Sequence, residues 1–345
     1  MPRPMTIAGT ADPRPRLPRH RRERSPEDLR LALRAATLYY LDGLTQAEVA
    51  TRLGVSRPTA GRLLSRAKSD GLVRIEVVVP PDAGDDLHAG EERELEDRFG
   101  LTEAVVAGRG VDVGPSSGPS AFAGVGRGAA ALLARRLSPG DTMGFTWGPE
   151  QVAVAAALAP GVAVCRAVVQ LDGAMSTVTY QTGADYILGR CADTLRAEAI
   201  RLPAPLYADP STVASMLRDS VMSRTLLAGR RAELMLFGVG AVSTATTLFE
   251  GSFLDTRMLD ELVALGAVGE IGGRFFDAHG VPVETELQER VISVPLDDVR
   301  SCPKSILVSS GAAKHHATLA ALRGGLARLL VCDIDCARWL LSHDK

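Results

Sequence analysis

Six short apolar runs, each only long enough for a strand, alternate with helix-length stretches along most of this chain. The runs span residues 104–107, 142–146, 162–171, 234–238, 305–309 and 328–332, and the helical stretches include 122–137, 151–158, 184–197 and 312–322. Such alternation leaves few folds open. Strands separated by helices cross over and run parallel, which gives an α/β body with a largely parallel sheet covered by helices. Ligands of such sheets gather at the carboxyl ends of the strands, where loops carry glycine and helix N-termini carry partial positive charge. Three strand ends have that character: Thr142-Met143-Gly144-Phe145-Thr146-Trp147-Gly148 ahead of Pro149, Leu236-Phe237-Gly238-Val239-Gly240, and Val308-Ser309-Ser310-Gly311-Ala312-Ala313-Lys314. Each alone is weak, since a glycine turn is more often structural; together they predict one pocket.

Before residue 81 the pattern is different. After Ser25-Pro26, an N-cap with proline in the first turn, Leu29, Leu33, Ala36, Tyr40 and Leu41 recur at helical spacing until Asp42-Gly43. Thr45 begins a Thr-x-x-Glu capping box with Glu48, opening a helix whose apolar face is Ala47, Val49, Ala50 and Leu53 and which Gly54 closes. Ser56 is a fresh N-cap for a third helix from Arg57 to about Asp70. On it Ala60, Leu63, Leu64 and Ala67 form the core face. Arg57, Pro58, Thr59, Gly61, Arg62, Ser65, Arg66 and Lys68 point outward, with no carboxylate until Asp70. A helix lying in a major groove needs that set, because base edges take donors such as Arg and phosphates take cations and hydroxyls. We expect Arg57, Thr59 and Arg62 at bases and Ser65, Arg66 and Lys68 at phosphates, with Thr45, Gln46 and Ser56 completing the DNA-contacting set. The run 72–77 alternates like a strand and would form a wing or a link.

Charge agrees with this division. Residues 1–80 hold 15 Lys and Arg against 8 Asp and Glu, whereas the remainder holds 24 against 33. A basic head on an acidic body suits a polyanion partner for the head alone. Residues 1–24, with Pro2, Pro4, Pro13, Pro15 and Pro18 among arginines, cannot build a core and are expected to be a disordered basic arm. The expected domains are therefore this arm, a winged helix-turn-helix over 25–80, a charged linker helix within 81–100, and the α/β body over 101–345. The helix 85–99 would either space the domains or help dimerisation.

No run of about 18 apolar residues predicts a membrane span, and the N-terminus lacks the apolar segment of a secretory signal, so a cytoplasmic protein is expected. Cys165, Cys191, Cys302, Cys332 and Cys336 form no CxxC pair and read as buried thiols; no metal or cofactor is implied.

Several ordered stretches resemble the SorC/DeoR-type sugar-binding transcriptional regulators, a bacterial family. They are Leu44-Thr45-Gln46 through Val55-Ser56-Arg57 with Asp70-Gly71-Leu72-Val73; Gly144 to Gly148; Val169-Gln170-Leu171-Asp172-Gly173; Pro203-Ala204-Pro205; Phe237-Gly238-Val239-Gly240; the run from Gly266 to Asp277; Ser310-Gly311 with Lys314; and Ala321-Leu322-Arg323-Gly324-Gly325. The resemblance covers about residues 30–342. It implies a Rossmann-like effector domain similar to the sugar-phosphate isomerase and deaminase folds, which binds its sugar without turning it over. It also implies dimers or tetramers on paired half-sites of double-stranded operator DNA. Carried over by position, it places Gly148, Pro149, Glu150 and Gln151 against the effector's phosphate or equivalent hydroxyls. Glu270 and Asp277 would accept from sugar hydroxyls, and Lys314 would donate to phosphate or ring oxygen. Gly144, Thr146, Gln170, Asp172, Gly238, Gly240, Ser310 and Gly311 complete the expected effector site. One departure matters: the family commonly shows hydroxyl residues after Trp-Gly, where this chain has Pro149, Glu150 and Gln151. Proline removes a backbone donor and Glu150 adds a negative charge, so a phosphate is less welcome.

The expected function is a DNA-binding transcriptional regulator whose operator affinity is set by a sugar, polyol or sugar-phosphate effector of a carbohydrate catabolic operon. The rival from another class is a sugar-phosphate isomerase or deaminase with an appended domain, using Asp172, Glu270 or His315 as general base. A basic recognition helix has no role in such an enzyme. A protein–protein adaptor is a third reading, and the row Arg57, Arg62, Arg66 weighs against it.

Overall fold

The computed structural model describes residues 26–75, 87–108, 119–175 and 182–344, which fall into two compact units divided between residues 79 and 80. The expected arm 1–24, the N-cap Ser25, residues 76–77 of the expected wing with the end of the head domain to 80, and residues 81–86 of the expected linker helix lie outside the described residues.

The first unit is trihelical. Helix α1 (Pro26–Ala36) runs into a π-turn at Thr37–Leu41, α2 is Gln46–Leu53 and α3 is Arg57–Ser69. The local signals act as their chemistry requires. Thr45 Oγ1 accepts from Glu48 N while the Glu48 carboxylate accepts from Thr45 N, so each satisfies an otherwise orphaned N–H. Gly54 sits at φ +66°, a left-handed turn that a side chain would resist, and it swings the chain from α2 toward Ser56. The core consists of Ala32, Ala35, Ala36, Leu38, Val49, Ala50, Ala60, Leu63, Leu64 and Ala67. The face of α1 differs from expectation. Leu33 is 50% exposed and Leu41 81%, while Ala32 and Ala35 are fully buried. The small residues let α1 lie close against α3, and the leucines, one step round the helix, are left outside. No strand forms among the described residues of this unit.

The second unit is built on a seven-stranded parallel sheet in the order β1-β10-β9-β5-β2-β3-β4. The strands are β1 (Glu103–Ala107), β2 (Thr142–Phe145), β3 (Ala167–Gln170), β4 (Glu198–Ile200), β5 (Leu234–Phe237), β9 (Lys304–Ser309) and β10 (Leu329–Asp333). Alternate residues serve opposite faces. Met143, Phe145, Leu234, Leu236, Ile306 and Val308 enter one core, while Met235, Phe237, Leu307, Leu330 and Cys332 enter the other. Helices α5 (Ala123–Arg136), α6 (Pro149–Ala157) and α7 (Ala184–Leu195) cover the first face. The other is covered by α4 (Ala89–Phe99), α12 (Leu296–Ser301), α13 (His315–Arg323) and α14 (Ile334–His343). A second, antiparallel sheet joins β6 (Gly240–Ala241), β7 (Gly269–Ile271) and β8 (Arg274–Phe276). Helices α8 (Pro210–Arg218), α9 (Ser220–Arg230), α10 (Thr247–Glu250) and α11 (Thr256–Ala264) complete the unit.

Helix α4 packs on the body. Its Glu96 and Glu92 carboxylates accept from the backbone N–H groups of Ala104 and Val106, 3.0 Å each, on the outer side of edge strand β1. Leu95 is buried in the core and Arg98 donates to the carbonyls of Leu341 and Asp344. The charge run reflects a helix that covers a sheet edge, supplying acceptors where no neighbouring strand exists.

Candidate functional site

Strands β9, β5, β2 and β3 are neighbours, and their carboxyl ends open onto a cavity of about 220 Å³. Strand β2 delivers Thr146 to Gly148 and the start of α6, β3 delivers Asp172, β5 delivers Gly238 to Ala241, and β9 delivers Ser310, Gly311 and Lys314. The small sheet adds Glu270, Gly272 and Gly273, and the stretch 245–248 closes one side. Gly148, at φ +155°, turns the chain from strand into helix, and a Cβ there would meet Gln151 Oε1 at 2.8 Å. Gly240 lies so close to Glu270 that a Cβ would stand 2.1 Å from its Oε1.

The polar groups of the cavity are buried and unequally satisfied. Glu150, 1% exposed, pairs with the ammonium of Lys314. Glu270 Oε2 accepts from Gly273 N at 2.8 Å, and Asp172 Oδ1 accepts from Trp147 N at 3.3 Å. Burial pushes the Asp172 carboxyl well above the usual range; the Trp147 N–H opposes this and the Glu270 charge adds to it. Burial raises Glu270 too, against the Gly273 N–H and Lys314, with Glu150 adding to the rise. Gln151 is also 1% exposed, and among the described residues neither its Nε2 nor its Oε1 has a hydrogen-bond partner. Asp333 organises the β9 end, accepting from Ser310 Oγ at 2.8 Å and Gly311 N at 2.9 Å with one oxygen and from Cys336 N with the other. Among the described residues no group of three or more His, Cys, Asp or Glu could hold a metal ion.

Of the residues expected at the effector, Thr146, Gly148, Pro149, Glu150, Gln151, Asp172, Gly238, Gly240, Glu270, Ser310, Gly311 and Lys314 line this cavity. Gly144, Gln170 and Asp277 do not. Gly144 lies inside the sheet, where a Cβ would meet Leu171 Cδ2 at 2.6 Å, so its lack of a side chain serves packing. The Gln170 amide donates to the carbonyl of Asp172 at 2.7 Å and braces the loop behind the site. Asp277 Oδ1 accepts from His279 N and Val281 N, forming a tight turn after β8. Of the three candidate general bases of the rival reading, Asp172 and Glu270 line the cavity, whereas His315 is outside the lining and packs against Trp339 with centroids 5.0 Å apart. Lining residues missed by sequence reasoning include Phe122, Trp147, Val239, Thr246, Thr247 and Leu248. Trp147 had a signal, standing inside the Gly-Phe-Thr-Trp-Gly run; its Nε1 donates to Gly173 O at 2.9 Å and fixes the loop that carries Asp172. Residues 246–248 had none, because a short helix packed over the site has no local signature.

In the first unit α3 presents Arg57, Arg62, Ser65 and Lys68 to solvent. Ser56 Oγ and Thr59 Oγ1 share a hydrogen bond of 2.8 Å, and Arg62 Nη2 donates to Thr59 Oγ1 at 3.2 Å, so the start of the helix holds one arginine extended along it. Lys68 Nζ lies 5.8 Å from the Tyr40 ring centroid. Gln46 packs toward Gly61, its Oε1 3.8 Å from where a Cβ would stand. Arg66, expected at phosphates, is half-buried and pairs with Asp28 and Asp70, 3.4 Å each, which ties α1 to α3.

A family model for a sugar-binding domain matches residues 88–342, and a model for region 4 of sigma-70 matches residues 34–70. The deoxyribonucleoside regulator of Bacillus subtilis (strain 168) is 32% identical over 321 residues, covering 92% of this chain and 98% of its own. The sorbitol operon regulator of Klebsiella pneumoniae is 29% identical, covering 92% and 99%. The crystal structure of the full-length sorbitol operon regulator SorC from the same organism superposes with a TM-score of 0.66 at 28% identity, covering 91% of this chain and 99% of that one. A trihelical head bearing an outward basic helix, a parallel-sheet body with a buried polar cavity, and full-length likeness in that order place this chain in the SorC/DeoR-type family of sugar-binding transcriptional regulators.

Proposed function

We propose that α3 reads operator DNA through Arg57 and Arg62, and that a small sugar, polyol or sugar phosphate held in the cavity sets the affinity of that contact. The observation that carries the reading is the cavity itself: buried carboxylates and an unpartnered amide at adjacent strand ends form a site whose polar groups are completed by a hydroxyl-rich guest. The protein acts in the cytoplasm and without chemistry on its ligand. The relatives named above are regulators; of the three candidate bases His315 stands outside the cavity, and Asp172 and Glu270, which line it, serve in this reading as acceptors for the guest's hydroxyls. The working unit is a homodimer or homotetramer, because one short recognition helix seldom supplies operator-level specificity and paired half-sites double it.

Selection of bound duplexes from a random library with the full chain tests this, followed by sugar titration against the selected site. A pseudo-palindrome with half-sites separated by whole helical turns is expected, with affinity that shifts on adding a cavity ligand. No sequence preference, or affinity indifferent to every sugar that binds, overturns the reading. Sedimentation showing only monomer with and without that duplex removes the oligomer.

A further inference from the structure

Lys314 is the one basic side chain among the described residues lining the cavity, and it is taken up by Glu150. We infer that the effector is an uncharged polyol or sugar, that Glu150 excludes phosphate by occupying Lys314, and that the Gln151 amide takes the ligand's hydroxyls. This rests on the reading of the cavity as the effector site.

A phosphate in a buried site is held by cations, by free N–H groups at a helix start, or by both. Here α6 begins with Pro149, which has no N–H to offer, and the carboxylate of Glu150 stands in the first turn, where it already takes the favourable end of the helix dipole. The remaining ionisable side chains of the described lining, Asp172 and Glu270, are both acidic. A phosphate dianion entering this cavity would meet three carboxyl groups and one lysine that is already neutralised, in surroundings too dry to screen the repulsion.

Hydroxyls find the opposite situation. Carboxylates accept from them, and a primary amide both donates and accepts, which matches two neighbouring hydroxyls on one carbon chain. Gln151 is placed for that role. Its Nε2 and Oε1 are buried and unpartnered, Oε1 faces Gly148 and Nε2 faces Gly238. A Cβ at those glycines would come within 2.8 and 3.2 Å of the amide, so the amide can sit between them only because both positions lack a side chain. A buried amide without partners destabilises the empty protein, and a guest that completes it is favoured by the same amount.

Calorimetric titration of the full chain with sorbitol, xylitol, erythritol and ribose, beside sorbitol 6-phosphate, ribose 5-phosphate and inorganic phosphate, tests the inference. At least one uncharged member is expected to bind about tenfold or more tighter than its phosphate. Glu150→Gln releases Lys314 and shrinks that ratio by about tenfold. Gln151→Leu weakens the uncharged ligand by about tenfold while leaving the melting temperature of the empty chain unchanged or raised, since an unsatisfied group is replaced by an apolar one of similar size. Tighter binding of the phosphate by the unaltered chain overturns the inference, as does a ratio that Glu150→Gln leaves unchanged. If a phosphate is preferred and Gln151→Leu abolishes its binding, the class is wrong and the effector site stands. Binding that neither variant touches, or none across the panel, overturns the inference together with the reading on which it rests.

Discussion

At the start of α3 Ser56, Thr59 and Arg62 are linked by hydrogen bonds that reach only three residues along the chain, and the capping pair Thr45 and Glu48 spans the same distance. In the cavity Glu150 meets Lys314 across 164 positions, Trp147 meets Asp172 across 25, and Gln151 meets no partner among the described residues. In the head the caps and the Ser56–Thr59–Arg62 chain are local, the Arg66–Asp28 ion pair alone of those described above reaches across helices, and Arg57, Arg62 and Lys68 face solvent. The body gathers carboxyl groups from separate strand ends, buries them, and leaves one amide unsatisfied. A surface that docks on a long, charged partner can be finished in isolation, whereas a site that senses a small guest has to be left incomplete until the guest arrives.

The sharpest way to break this contrast is with glycines. A Cβ at Gly173 would lie 2.1 Å from the carbonyl oxygen of Pro205, backbone brought there by a remote strand end, so Gly173→Ala is expected to cost about 3 kcal/mol of body stability in denaturant titration. Gly61→Ala in the head meets only Gln46 Oε1 at 3.8 Å and is expected to stabilise α3 by up to about 1 kcal/mol. Two equally mild outcomes would erase the distinction between a locally and a remotely determined region.

Next in size, Arg62→Ala should cost about 1–3 kcal/mol at the cognate duplex and relax base preference there, without lowering the melting temperature of the head. Lys68→Ala should weaken all duplexes alike and flatten the salt dependence. Equal loss on cognate and scrambled duplexes for Arg62→Ala would move that residue to the phosphate-contacting set. Thr45→Ala removes one cap and should lower head stability by about 1 kcal/mol, read by circular dichroism, with effector affinity untouched.

The smallest effect concerns pH. Burial holds the Asp172 and Glu270 carboxyls above their ordinary range, so the folded chain binds their protons more tightly than the unfolded chain. Stability of the empty body therefore falls as pH rises from the unfolded carboxylate value, about 4, toward the raised folded values. Asp172→Asn should raise the melting temperature more at pH 8 than at pH 5. A gain independent of pH would show that Asp172 does not carry this slope.

Much of the architecture is legible in local pattern. Capping residues, glycine stops and the 3.6-residue period place α2 and α3, and the alternation of apolar runs with helices gives the parallel sheet, because these signals are set by neighbours within one or two turns. Packing distance is not local. Leu29 and Leu33 promise the buried face of α1 by hydrophobicity, yet Ala32 and Ala35 take it because two helices approach more closely over small side chains. The small sheet of β6, β7 and β8 goes unread since its strands are two or three residues long. The pairing of Arg66 with Asp28, on another helix and 3.4 Å away, has no local signal either.

By itself, then, the order of residues determined a capped, basic trihelical head, a parallel α/β body, and which strand ends carry glycine and acid. Only the tertiary structure decided that Gly144, Gln170 and Asp277 serve packing, a loop brace and a turn instead of the cavity, and that Glu150 neutralises Lys314 while Gln151 is left unpaired. The physical reason is that periodicity and capping act over a few residues, whereas the charge and hydrogen-bond balance of a buried site is summed over groups that only folding brings together.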